Sequence, residues 1–319
     1  MAAPTVRAAL LAALAVANCG PEGEALAGSK YVVQVDLTPQ IRAFGEDTAT
    51  ADEAGEQVAA IGPAAIPALA AALTHEPRDV RQKAVEVLTT IGTAAAVPPL
   101  LQAAQHDDDV DVRADAVNAL GTLGAERGRA VVEAMLADSH APIRGGAVMA
   151  CASLCTSDAA ITRLADIAVM DDDVSIALGA WRTLLALRAK PALADVVRST
   201  LARRRAAPLP SNAKPNARAL LALIDYDSDG PAAIPSLLAA VGEASPPVQR
   251  QIVWQLGTVG DDRCIVALRE LLHAPDTSVQ AYAYDALVKL RDRGIDGAAT
   301  ALDAYAGRKP SGPLRAPDL

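Results

Sequence analysis

Aromatic side chains are scarce in this 319-residue chain: 2 Trp, 5 Tyr and 1 Phe make up 3% of it. β-Sandwiches and barrels favour aromatic and β-branched residues in their strands, so those folds are disfavoured. Cysteine is rarer still, and 4 residues in a chain of this length make no disulfide scaffold. Basic residues are outnumbered, 29 Lys and Arg against 38 Asp and Glu, for a net charge of −9. A chain of that sign repels phosphate backbones, which argues against a general nucleic-acid binder. No apolar run reaches the roughly 18 residues of a membrane-spanning helix, and no G-x-S-x-G or Walker-type glycine loop is present. What the chain does have is a 51% hydrophobic content dominated by Ala and Leu. Both are strong helix formers, and that much apolar surface rules out wholesale disorder.

The first 18 residues read as an address. Arg7 precedes an unbroken Ala/Leu/Val run over 8–17, the length of a signal-peptide h-region, and Ala15-Val16-Ala17 and Ala25-Leu26-Ala27 are A-x-A sites. Val16-Ala17-Asn18-Cys19 also resembles a bacterial lipobox, although Asn18 departs from the Gly, Ala or Ser usual before the Cys. That resemblance implies lipidation at Cys19, with any membrane association running only through such an anchor. Export is the expectation, and an Ala-rich cytosolic helix is the alternative. Residues 19–45 are expected to be a linker, with a short strand or extended segment at 31–37.

From there the chain repeats. An aliphatic residue is followed by Ala or a substitute four positions later, Leu eight later and an aliphatic eleven later. The pattern runs Val80, Ala84, Leu88, Ile91; Val112, Ala116, Leu120, Leu123; Ile143, Ala147, Cys151, Leu154; and Ile176, Ala180, Leu184, Leu187. It continues as Ala213, Ala217, Leu221, Ile224; Val248, Ile252, Leu256, Val259; and Val279, Ala283, Leu287, Leu290. These offsets place one narrow apolar stripe on each helix. A second apolar-periodic segment precedes each one, so every unit is expected to be helix, polar turn, helix. The hexapeptide GPAAIP occurs at both 62–67 and 230–235, which points to duplication. A lone hairpin cannot bury its own stripe; stacked hairpins bury each other's.

Proline in or opening the first helix (Pro63, Pro67, Pro98, Pro99, Pro231, Pro235) and Asp-Val-Arg opening the second (79–81 and 111–113) make the region from about 46 to 291 resemble HEAT repeats, particularly the short bacterial kind also found in phycobiliprotein lyases. The resemblance implies an all-α, right-handed α-α superhelix of about seven hairpins over 46–306, with a capping helix near 47–61. It also implies an Asp/Arg ladder between neighbours, which here fades to Gln249 and Gln280. An insertion loop is expected at 203–216 and a disordered tail at 307–319.

Catalytic constellations are thin. His75, His106, His140 and His273 all fall in the turns between paired helices and read as solvated loop residues. HEAT-repeat deoxyhypusine hydroxylases hold two irons on paired His-Glu dipeptides; this chain has a single one, His75-Glu76. No cofactor is expected, apart from an irregular calcium loop at Asp225-Tyr-Asp227-Ser-Asp229-Gly230. That segment opens like an EF-hand but has Ala232 at position 8 and Ser236 at position 12, where a bidentate Glu is needed. An acidic turn leading into Pro231 is the alternative. Runs 107–109 and 171–173 read as helix caps, and Cys151, Cys155 and Cys264 as core fillers.

The resemblance implies that second helices line a concave face. Opposite the stripe, offset 6 reads Glu86, Asn118, Met149, Arg182, Ala219, Trp254 and Asp285, flanked by Lys83, Arg250, Gln251, Tyr282 and Lys289. Trp, Tyr and Arg are enriched at interface hot spots. The expectation is a non-catalytic scaffold that binds a protein or peptide there, strongest around Arg182, Trp254 and Tyr282, with no nucleic acid. A packing role for Trp254 stands beside it. A regulatory subunit of an enzyme and, further off, a lyase are the other functional readings.

Overall fold

The computed structural model describes residues 36–209, 215–307 and 314–317, and among them there is no strand. Contacts divide the chain into two compact units, Met1–Cys155 and Thr156–Leu319.

In the first unit, α1 (Thr38–Ala43) and α2 (Thr48–Ile61) precede three hairpins: α3 (Ile66–Ala72) with α4 (Arg78–Ile91), α5 (Val97–His106) with α6 (Val110–Thr122), and α7 (Arg129–Met135) with α8 (Ala141–Leu154). Proline stands in the first positions of α3 and α5, where its missing N–H would have no helical partner anyway. The second helices lie side by side, α2 on α4, α4 on α6 and α6 on α8. Their stripe is the core: Val80, Ala84, Leu88, Val112, Ala116, Leu120, Ile143, Ala147 and Cys151 are all at most 3% exposed. Glycine permits the closest approaches. A Cβ on Gly121 would stand 2.3 Å from Ala150 Cα, and one on Gly146 would stand 2.6 Å from the Ala114 carbonyl oxygen.

The turns are fastened by the residue after the first stripe position. Arg81 donates to the His75 and Glu76 carbonyls, Arg113 to those of Asp107 and Asp108, and Arg144 to those of Asp138 and Ser139. Arg81 also grips Asp107 of the next hairpin through two bonds of 2.8 and 2.9 Å. This double contact raises the Arg81 pKa above its ordinary value, with burial opposing it. The acidic runs act as caps. Asp107 accepts from the Asp109 N–H, and Asp109 caps α6 through the N–H groups of Asp111 and Val112. Burial opposes the Asp109 charge, but those two bonds and the nearby Arg78 and Arg81 outweigh it and hold its pKa low.

In the second unit, the hairpins are α9 (Asp158–Met170) with α10 (Val174–Arg188), α11 (Ala194–Ala206) with α12 (Pro215–Asp229), α13 (Ile234–Val241) with α14 (Pro246–Val259), and α15 (Cys264–Leu271) with α16 (Thr277–Asp292), followed by α17 (Ala298–Asp303). The repeated GPAAIP makes the same structure twice, a glycine at positive φ (Gly62 at 73° and Gly230 at 59°) opening a 3-10 turn into a helix. Such a φ suits glycine because it carries no Cβ. Gln249 and Gln280 occupy the arginine position and donate to the Val241 and Ala274 carbonyls, so a neutral amide fastens those turns.

Several expectations need revision. α1 lies within the segment expected to be linker, and the strand expected at 31–37 falls largely outside the described residues, as does the leader with Cys19. The expected loop at 203–216 is shorter: Arg203, Arg204 and Arg205 belong to α11, with Arg204 paired to Asp166 at 3.3 Å and Arg205 to Asp225 at 3.6 Å. On α10 the stripe residues Ala180, Leu184 and Leu187 are buried as expected. Its first position, Ile176, is half-buried, and Ala177, Leu178 and Trp181 are buried beside the stripe, the indole hiding a large apolar area. Residues 314–317, within the tail expected to be disordered, are held by hydrogen bonds. Cys151 and Cys155 are both fully buried, but they are joined as a disulfide rather than standing as separate fillers. Cys264 is a buried free thiol whose pKa burial pushes up.

Candidate functional site

α10, α14 and α16 bring Arg182, Arg250, Gln251, Trp254, Tyr282, Asp285 and Lys289 to one region of the second unit. Between α10 and α14, helix α12 offers only Ala219, fully buried, and the Arg182 guanidinium reaches Gln251 Oε1 at 3.5 Å. The small side chain at that position leaves room for the contact. Trp254 is half-buried. Its ring meets Tyr282 edge-on, with centroids 6.5 Å apart and planes at 75°, and Lys289 Nζ sits 3.4 Å over the indole. Lys289 also pairs with Asp285 at 2.8 Å, one helical turn earlier. An ammonium held by both a carboxylate and an aromatic face fixes the indole from one side. The next hairpin therefore packs against Trp254 without covering it. Asp285 is only 6% exposed and Gln251 also 6%, so both polar groups are built in. Arg250 donates to Ser278 Oγ at 3.0 Å.

This region is occupied by the chain itself. The Arg182 guanidinium donates to the Pro317 carbonyl, Tyr282 Oη donates to the Arg315 carbonyl at 3.1 Å, and the Leu314 N–H donates to Asp285 Oδ1 at 3.4 Å. Pro317 is buried, Leu314 half-buried, and Arg315 and Ala316 are exposed. Periodicity found the receiving residues, but the occupant lay beyond its reach, because the 307–319 segment carries no repeat pattern.

The candidates in the first unit sit apart from this region in character. Glu86 and Asn118 line a hollow of about 880 Å³ with Asp52, Gln82, Lys83 and Asp115. Lys83 bridges Asp52 at 2.6 Å and Glu86 at 2.7 Å. Burial opposes the Lys83 charge, but the two carboxylates outweigh it and raise its pKa. Met149 is 63% exposed on α8.

The acidic segment at 225–229 is helical, not a loop. α12 runs through Asp229 and ends at Gly230. Residues two apart on a helix do not face one another, so this backbone does not present Asp225, Asp227 and Asp229 as a calcium loop would. The side chains of Asp227 and Asp229 lie outside the described residues, and Asp225 faces Arg205. Among the described residues no group of three or more His, Cys, Asp and Glu is placed to hold a metal ion. The four histidines are exposed in or beside the inter-helix turns. No described helix is long and apolar enough to cross a membrane.

The paired helices, their fastened turns and the stacked second helices define an α-solenoid class of protein. Family comparison agrees: the sequence profile described as HEAT repeats matches residues 36–121, 97–184 and 216–317, and the chain belongs to the HEAT-repeat family. Comparison with curated proteins gives no match. Among solved structures the chain is similar to human deoxyhypusine hydroxylase in complex with glycerol, at 17% identity and a TM-score of 0.35, covering 80% of this chain and 96% of that one. It is also similar to two engineered proteins. One is 21% identical with a TM-score of 0.34, covering 84% of this chain and 81% of that one. The other is 20% identical with a TM-score of 0.27, covering 82% and 98%.

Proposed function

We propose that the chain is a non-catalytic scaffold that binds a protein partner through an extended peptide segment laid across α10, α14 and α16. The observation that carries this reading is the cluster of Arg182, Gln251, Trp254 and Tyr282. There a half-buried indole lies beside polar groups that bind main-chain atoms of an extended segment, residues 314–317. Aromatic and arginine anchors surrounded by packed neighbours are where interface energy concentrates. The test is a binding assay on the folded full chain with peptides selected from a displayed library. Trp254→Ala and Arg182→Ala are each expected to weaken the selected peptides about 10-fold or more, in line with hot-spot losses of about 2 kcal/mol, while the helical circular-dichroism signal stays intact. Peptides that bind both variants as they bind the parent would refute the assignment.

We further propose that the protein works outside the cytoplasm. The leader-like residues 1–18 and the Cys151–Cys155 bond both favour this, since disulfides persist in oxidising compartments and are rare in reducing ones. Mass spectrometry of the mature protein is expected to find the leader removed, with a lipid on Cys19 if the lipobox-like run is used, and the disulfide intact. An unprocessed N-terminus with two free thiols would contradict it.

A further inference from the structure

We infer that residues 314–317 are an intramolecular ligand of this groove, and that the external partner it admits is an extended, proline-anchored peptide segment read through its main chain. The inference rests on the groove assigned above and adds what fills it.

Three observations carry it. First, three hydrogen bonds join the segment to the groove through the segment's backbone: the carbonyls of Pro317 and Arg315 accept from Arg182 and Tyr282, and the Leu314 N–H donates to Asp285. The side chains of Arg315 and Ala316 are left exposed. A groove that reads main-chain atoms takes any chain able to lie in the same extended path. Second, the side chain that is buried is Pro317. Proline has no N–H to leave unpaired on burial, and its fixed φ lowers the entropy lost on docking. Third, Asp285 is held by Lys289 at 2.8 Å on its own helix, and one of its oxygens takes the Leu314 N–H. A carboxylate positioned by its own helix is a receptor feature rather than a chance surface contact.

The segment is tethered close to α17, so it competes at high effective concentration. Six residues, 308–313, join it to Gly307, and so short a connection supplies an effective concentration on the order of millimolar. An external peptide of equal intrinsic affinity therefore meets a groove that is mostly filled, and partner binding requires the segment to leave. The arrangement sets a threshold: a partner must outbid residues 314–317 by its affinity or its local abundance.

The experiment uses the full chain and a synthetic, end-capped peptide of residues 308–319 as the probe, followed by calorimetry. The parent chain is compared with the Leu314→Ser/Pro317→Ser double variant, which alters no hairpin. The double variant is expected to bind the probe about 10-fold more tightly than the parent, because its own segment no longer fills the site. Adding Arg182→Ala to the double variant is expected to remove that gain. Equal affinity for the parent and the double variant, or no binding by either, overturns the inference. The library-selected peptides separate this failure from a failure of the groove itself. If they remain sensitive to Trp254→Ala but indifferent to the 314/317 substitutions, the groove stands and the intramolecular ligand falls. If they ignore Trp254→Ala as well, both fall.

Discussion

Gly121→Val is expected to cost the first unit about 3 kcal/mol, the upper part of the range for overpacking a tight interior. The position admits no side chain. Even the first added carbon would lie 2.3 Å from the Ala150 backbone and 2.5 Å from its Cβ. Backbone atoms of a packed helix cannot swing aside as a flexible side chain can, so α6 and α8 would have to part and the stripe between them would loosen. For a unit of this size the loss corresponds to a fall in melting temperature of about 6–12 °C. Gly257→Val should do the same in the second unit, where the added carbon would meet Ala286 at 2.8 Å. Gly242→Ala is the control: nothing lies within 4 Å of its Cβ, and its φ of −68° suits any residue. It is expected to be neutral or slightly stabilising. Thermal unfolding followed by circular dichroism decides, and a Gly121→Val chain melting with the parent would show that the helices are not in such close contact.

Asp107→Asn is the second large effect, at about 2–4 kcal/mol. The Asp107 side chain is 4% exposed and that of Arg81 12%, so the pair is poorly screened. Breaking a buried pair by removing one partner costs about 3–5 kcal/mol. The figure is reduced here because Arg81 keeps its bonds to the His75 and Glu76 carbonyls and remains slightly wet. By contrast, Asp79 is 74% exposed, and Asp79→Asn should change stability by no more than about 0.5 kcal/mol. Arg81→Gln in the Asp107→Asn background is expected to recover part of the loss, because it removes the stranded cation while an amide can still reach the turn carbonyls. A double-mutant cycle by urea unfolding measures the coupling, and additive losses would deny that the pair acts as one.

Much of this fold was legible because a solenoid writes its tertiary contacts into local periodicity. The stripe residues Val80, Ala84 and Leu88, and their equivalents in later hairpins, bury against neighbours that carry the same spacing. The GPAAIP copies and the Asp caps are likewise set by local backbone chemistry. What escaped is what depends on distant partners or on bulk. Ile176, at the head of the α10 stripe, is only half-buried although Ala180, Leu184 and Leu187 of the same stripe are covered. Arg204 and Arg205 stay helical beside Asp166 and Asp225, residues that no local pattern pairs with them. The Cys151–Cys155 bond spans one helical turn, where the stripe made Cys151 look like a substitute for Leu. Of the groove, the offset rule found Arg182, Trp254 and Asp285, but not that Asp285 would be buried, nor that Leu314 and Pro317 would come to them.

The exchange of arginine for glutamine at the turn-fastening position makes the hairpins unequal toward electrolyte. Where Arg81, Arg113 and Arg144 hold the turns, dissolved ions compete for the clasp and can weaken it. Gln249 and Gln280 make the same closure without charge, so brine has little to displace. The two hairpins that carry Trp254 and Tyr282 are thus expected to keep their turns closed across salinities over which the arginine-clasped turns soften.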